Sequence, residues 1–241
     1  MKIPLIYIPR TQFKIYLIIE KTFKCEKVII PIGCDCHPAY TLQKLNIRKY
    51  SLPFDWLNTD PLRGLVFVTS NLKTCFIGFL NRLRRNDRGH IISEEYPYAE
   101  FIHEDDLIDN RYDREKFKRR INRLNKLIIK DCYCLYNIPS NSLSSEDQVI
   151  EFYNSVLDFK AQLREGQTLC IYIRYDENMT ENRYNCEMLF ELLKKIDNVN
   201  VANYIREKEK EGIWGNEKKY PKLYESLGIN ISIDTPRVYI K

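Results

Sequence analysis

CYCLYNI at Cys132–Ile138, LCIYIRY at Leu169–Tyr175 and VNVANYI at Val199–Ile205 are three short apolar runs rich in aromatic and β-branched residues, the composition of buried strands. Between them lie amphipathic stretches of helical period, from about Ser145 to Arg164 and from about Arg183 to Ile196. Ser144 or Ser145, followed by Asp147 and Gln148, reads as a capped helix start, and Gly166 reads as the close of that helix. The order is strand, helix, strand, helix, strand. Such alternation implies right-handed crossovers and a mainly parallel sheet, so the fold class is α/β, a single-domain three-layer sandwich. In open sheets of this kind, sites form beyond the carboxyl ends of the strands. Asn137, Ser140, Arg174 and Tyr175 stand at those ends.

The same logic extends upstream to VIIPIGCDCHPAYTLQKLNIRKYSLPFDW, Val28–Trp56. Val28–Ile32 is a β-branched strand candidate, and Gly33 permits a sharp or left-handed exit from it. Ala39, Leu42 and Leu45 recur at helical spacing, Pro38 suits the first turn, and Asp35 is available as a cap. Cys36 therefore falls at or beside a helix N-terminus, a setting that favours a thiolate, and the competing reading is a small buried hydrophobe. An activated Cys36 is expected to react with iodoacetamide near neutral pH ahead of the other seven thiols.

Between these two regions, Leu62–Phe79 has helical spacing, Arg82–Arg88 reads as a polar basic turn, and IISEEYPYAEFI from Ile91 reads as short extended pieces leading to His103. Arg114–Ile129 is predicted as a helix with Phe117, Ile121, Leu124 and Ile128 on one face. Its Arg119, Arg120 and Arg123 are better explained by a solvated, ion-paired face than by a nucleic-acid site. A net charge of +5 across 241 residues likewise implies no specific nucleic-acid partner. Residues 1–27 form an N-terminal extension or edge element, and residues 28–241 the α/β domain. Arg10, Lys14, Glu20 and Lys21 interrupt the first segment too often for a membrane span, and no small-residue cleavage site follows. The expected location is therefore the cytoplasm, with the eight cysteines reduced.

A thiol nucleophile needs a base within hydrogen-bond reach, and only three histidines are present. His90 lies in the polar turn. His37 adjoins Cys36 but projects elsewhere, lining the pocket at most. His103 ends an apolar segment and precedes Glu104, Asp105 and Asp106, which leaves it the best base. Asp55 is a weaker polar partner, and Arg174 stands where either an anion or a buried carboxylate would meet it. Cys34, Cys36 and His37, with Cys132 and Cys134, also supply soft ligands for zinc, although the second pair sits inside a strand candidate.

Gly33-x-x-Cys36-x-x-Ala39-x-x-Leu42, then Asn46-Ile47-Arg48 and Ser51-x-Pro53-Phe54-Asp55-Trp56, followed by Phe101-x-His103, the Arg119-Arg120-x-x-Arg123 helix, the strand ending in Arg174 and Trp214, resemble the DUF1796 family of papain-like cysteine peptidases. The resemblance spans roughly Val28 to Leu227. It implies a Cys–His site, carried here by Cys36 and His103, and it offers a papain-like α+β fold as the alternative to the parallel sandwich.

The reading is a cysteine-dependent hydrolase or acyl-transfer enzyme that needs no metal or cofactor. Cys36 attacks a carbonyl, His103 moves the proton, backbone N–H groups near residues 36–38 hold the oxyanion, and Asp55 or an acid from Glu104 to Asp106 orients the imidazole. Arg48, Trp56, Arg174 and His37 are the expected substrate contacts. The substrate is a peptide, a thioester or other small molecule, or an acylated glycan. The alternatives are a non-catalytic nucleotide or sugar-phosphate binding domain, built on Arg174 and the helix N-terminus, and a zinc-stabilised interaction module.

Overall fold

The computed structural model describes residues 2–9, 11–177 and 182–240. In chain order its elements are β1 (Lys2–Tyr7), β2 (Lys14–Cys25), β3 (Val28–Pro31), α1 (His37–Lys44), β4 (Asn58–Thr59) and α2 (Gly64–Lys73). Next come β5 (Leu83–Arg85), β6 (Ile91–Ser93), β7 (Tyr96–Phe101), α3 (Arg111–Leu127), β8 (Cys132–Pro139) and α4 (Glu146–Lys160). The chain continues through β9 (Thr168–Asp176), α5 (Arg183–Leu193), β10 (Val199–Arg206), α6 (Lys208–Glu211), α7 (Tyr220–Ser226) and β11 (Ile231–Ile240).

The molecule is a mixed α/β protein whose centre is a four-stranded sheet in the order β10-β9-β8-β3, every pair parallel. Alternation along the strands divides the core. Cys132, Cys134, Tyr136 and Ile138 of β8, with Leu169, Ile171 and Ile173 of β9, face one apolar cluster that takes in Leu65 and Phe67 of α2, Phe117 of α3, Phe152 of α4 and Leu189 of α5. Leu135, Cys170, Tyr172 and Tyr204 face the other, closed by Leu42 of α1 and by Tyr220, Leu223 and Tyr224 of α7. Both faces are buried, which is why the strands read as continuous apolar runs.

An antiparallel sheet in the order β4-β7-β6-β5 stands beside the carboxyl edge and carries the chain to His103. A third sheet, β1-β2-β11, joins the two ends of the chain through antiparallel pairs such as Val238 with Ile19.

Local chemistry accounts for the differences from the sequence reading. The helix expected over Leu62–Phe79 stops at Lys73 because Cys75 and Phe76 turn left-handed, at φ of 51° and 63°, which returns Phe76 to the core. Arg82–Arg88 is not a plain turn. Leu83–Arg85 pairs with Ile91–Ser93 as a hairpin, and the Asn86 Oδ1 accepts from the Arg88 and His90 amides within its loop. Helix α3 begins at Arg111 because Asn110 caps it by accepting from the Tyr112 and Asp113 amides. Ser145 caps α4 as expected, but that helix ends at Lys160, so Gly166, at φ of +83°, serves the turn into β9.

Gly33 is required for space, not for a left-handed exit: its φ is not positive, and a Cβ there would lie 2.4 Å from both the Asn137 Oδ1 and the Pro38 Cγ. Gly33→Ala is therefore expected to lower stability by about 1–3 kcal/mol, since a buried contact must be pushed apart. Urea denaturation checks this, and an unchanged midpoint would contradict the close packing of the turn.

Candidate active site

β3 ends at Pro31, and five residues later the chain enters α1 with Cys36 in the N-cap position. The cysteine is only 7% exposed and makes no side-chain cap. Asp35 caps instead, its Oδ1 accepting from the His37 amide at 2.9 Å. Pro38 occupies the first turn, where a missing N–H costs least.

The turn after β7 brings His103 back over this helix start, with its Nε2 3.6 Å from the Cys36 Sγ. His103 is exposed, and Trp56, half-buried, meets its ring edge-to-face at 6.1 Å between centroids. The Arg48 guanidinium lies over the Trp56 ring at 5.3 Å and makes a very short ion pair with Asp55, whose carboxylate also accepts from the Leu52 amide at 2.9 Å. Cys36, His103, Trp56, Arg48 and Asp55 thus form one contiguous chain of contacts.

Asp55 does not bond His103; its Oδ2 serves Arg48 and Leu52, and its buried Oδ1 has no hydrogen-bond partner. Nor does the acidic run after His103 supply an orienting carboxylate. Glu104 turns to α3, where Lys116 at 2.5 Å and Arg120 at 3.4 Å neutralise it. That ion pairing gives the arginine-rich helix its place beside the site.

His37 departs furthest from its expected role. It is buried in the α7 side of the core and packed against Tyr172, Tyr204, Trp214 and Tyr220. Its Nε2 donates to the Trp214 carbonyl at 3.1 Å, which leaves its Nδ1 to accept from the Tyr172 hydroxyl at 2.6 Å. Burial first, and then the nearby Arg174, push its pKa down to about 3, so the ring is neutral and structural. It is not brought to the cysteine–histidine pair. The cage had one signal in the sequence, Trp214, because the tyrosines that complete it come from three separate elements.

The thiolate expected at Cys36 is also corrected. Burial first, and then the Asp35 and Asp55 charges, push this thiol up to about 12, while its own amide pulls the other way. Helix α1 offers little to oppose them: Asp35 has taken the His37 N–H, and Pro38 has none. For the same reason the oxyanion donors expected across residues 36–38 reduce to the Cys36 amide.

Labelling order should follow. Cys75 is exposed, so iodoacetamide at neutral pH should modify it first, with Cys36 labelling still rising into the alkaline range. Peptide mass spectrometry across pH reads this directly; a plateau for Cys36 below pH 8 would refute it.

Arg174, at the end of β9, is 7% exposed and donates from Nη1 to the Asp35 Oδ2 at 2.7 Å. Asn137 adds a bond to the Asp35 Oδ1 at 3.0 Å. Burial alone would push the Asp35 carboxyl up, but Arg174, with the His37 amide, holds it below its ordinary value. The place where a phosphate would meet α1 and Arg174 is therefore held by this carboxylate. Among the described residues no group of three or more His, Cys, Asp or Glu is arranged to hold a metal ion, and no helix is long and apolar enough to cross a membrane.

Fold and site together define a mixed α/β protein with a cysteine at a strand-to-helix turn and a histidine in reach of its sulfur. The chain belongs to the DUF1796 family: the family model, described as "Putative papain-like cysteine peptidase (DUF1796)", matches residues 27–206. That span holds Cys36, Arg48, Asp55, Trp56, His103 and Arg174 but not Trp214 or the sheet that joins the chain ends. An uncharacterized protein of Acanthamoeba polyphaga mimivirus, R408, is 34% identical over 70 residues, which is 29% of this chain and 31% of that protein. The chain thus matches about a third of that relative's length. No solved structure matches the chain.

Proposed function

We propose that this protein is a cysteine-dependent hydrolase or acyl-transfer enzyme in which Cys36 is the nucleophile and His103 the general base. The observation that carries the reading is the 3.6 Å contact between the Cys36 Sγ and the His103 Nε2 at a helix start beyond the carboxyl edge of a parallel sheet. Because the resting thiol is protonated, the sulfur loses its proton to the His103 ring as it attacks the carbonyl carbon. The Cys36 amide faces the developing oxyanion. Collapse of the tetrahedral intermediate breaks the bond to the leaving group, which takes the proton from His103 and leaves an acyl thioester. Water or an acceptor hydroxyl or amine then loses a proton to His103 and releases the acyl group.

Trp56 is the positioning residue for His103, and the Arg48–Asp55 pair fixes Trp56, so these three act through contacts behind the imidazole and not on the substrate. This reading takes residues 28–241 as one unit with its sheet sandwiched between two helical layers. It places the protein in a reducing compartment, the cytoplasm, a reading that eight unpaired cysteines support. The test is incubation with p-nitrophenyl acetate followed by intact mass measurement. A single acetyl adduct that maps to Cys36 and is absent in Cys36→Ala is expected; acylation elsewhere, with Cys36 unmodified, would overturn the assignment.

A further inference from the structure

A cavity of about 530 Å³ opens beyond the carboxyl ends of β8, β9 and β10, with Asp35, the residue before the nucleophile, in its wall. Its size is ordinary for a small-ligand site, but its lining is not. Three arginines and four acids line it, and six of these charges face each other as pairs: Arg174 with Asp35 at 2.7 Å, Arg206 with Asp176 at 2.5 Å, and Arg88 with Glu100, while the fourth acid, Asp60, accepts from the Leu62 and Arg63 amides. A wall whose charges are paired except for one carboxylate presents many hydrogen-bond groups with a small net field. A lone anion would meet the carboxylates, and a lone cation the guanidinium groups.

Spare valences remain. Arg174 is paired through Nη1 with Asp35, and among the described residues no further acceptor is recorded for it, although the residue is more than nine-tenths buried and lines the cavity. Ser140 and Ser142 line the same wall, on the turn that follows β8. Opposite them, Tyr98 with Pro61 and Pro97 contributes apolar surface. Fixed planar donors and acceptors beside an aromatic face suit a ligand with alternating hydroxyl and C–H surfaces.

We propose that this cavity binds an uncharged carbohydrate, which makes the substrate of the thiol an ester carried on a sugar. The binding stands on the cavity alone, whereas the reaction rests on the function proposed for Cys36 and His103. In that reaction the ester C–O bond breaks as the S–C bond forms. The thiol proton passes through His103 to the sugar oxygen, and water then cleaves the thioester to release the acid and restore the thiol.

The test is isothermal titration of the full chain with maltotriose, cellotriose, xylotriose and N-acetylchitotriose at millimolar concentration, against inorganic phosphate and glycylglycine as charged comparisons. At least one neutral trisaccharide should bind, with affinity weakened roughly tenfold in Tyr98→Ala and in the exposed-site variant Asn141→Ala. Circular dichroism identifies either variant that fails to fold, and the other then carries the comparison. Failure of all four sugars, binding indifferent to both substitutions, or a preference for phosphate or glycylglycine would each overturn the carbohydrate assignment. Acetylation of Cys36 by p-nitrophenyl acetate reads the reaction separately. Acylation without sugar binding sinks the substrate class alone, and sugar binding without acylation supports the cavity while sinking the reaction.

Discussion

His103→Ala is expected to slow acetylation of Cys36 by p-nitrophenyl acetate by about 10²- to 10⁴-fold, the usual range for loss of a positioned general base. The argument starts from the thiol. Burial and two neighbouring carboxylates push Cys36 up to about 12, so at neutral pH there is almost no thiolate to react without help. The imidazole 3.6 Å away must then remove the proton during attack, and its loss falls on the chemical step. A thiolate already formed at the helix start would give the opposite result, with His103→Ala nearly silent in the acylation step.

Stability should change little, because His103 is exposed and its contacts are one sulfur and one edge of Trp56. The pH profile adds a second readout. Without the base, the acylation rate should climb with hydroxide throughout the alkaline range, as a thiol titrating near 12 requires. Trp56→Ala should fall between the two, lowering kcat more than it raises KM. A wild-type rate in His103→Ala would remove the dyad.

The central sheet was legible in the sequence because β8 and β9 are buried on both faces and β10 on one, so that each reads as an apolar run beside amphipathic stretches. The cysteine's position was legible for a related reason: a β-branched run, a glycine and a proline mark a strand-to-helix turn wherever they occur in that order. What could not be read is whatever depends on which distant groups meet. Asp35 looked like a cap, and it is one, yet its larger role comes from Arg174, which only the parallel register of β8 and β9 brings beside it.

That same carboxylate reverses the expected charge state of Cys36, so the local rule about helix starts failed for a tertiary reason. The last residues of the chain gave no hint that they pair with residues 17–25, since strand pairing leaves no local mark. Cys75 and Phe76 broke a helix that their apolar spacing favoured, because returning Phe76 to the core outweighed two strained φ angles.

Arg174→Met should cost about 3–5 kcal/mol at neutral pH, the range for removing one partner from a buried ion pair. The loss comes less from the missing bond than from the charge left behind. Asp35 would keep the His37 amide and Asn137 but no cation, while burial, already the largest influence on it, would push its carboxyl up.

The pH dependence follows from the direction of those shifts. In the wild type the Asp35 pKa lies below its unfolded value, so its contribution is present above that value and is lost as pH falls through the folded one. In Arg174→Met the shift reverses, and protonating Asp35 relieves the penalty. The deficit relative to wild type should therefore be largest near pH 7 and narrow toward pH 4. Urea denaturation at the two pH values measures it, and an equal deficit at both would show that Asp35 is not the group left stranded.

The double variant Asp35→Asn, Arg174→Met should recover part of the loss, because a neutral amide can keep its bonds to the turn without a counter-ion. Asp35→Asn alone should also lower the Cys36 pKa by removing the largest charge that opposes the thiolate, and so speed its alkylation at neutral pH. On the function proposed for Cys36, Asp35 then serves two ends at once: it anchors the turn that presents the sulfur, and it adds to burial in holding that sulfur protonated.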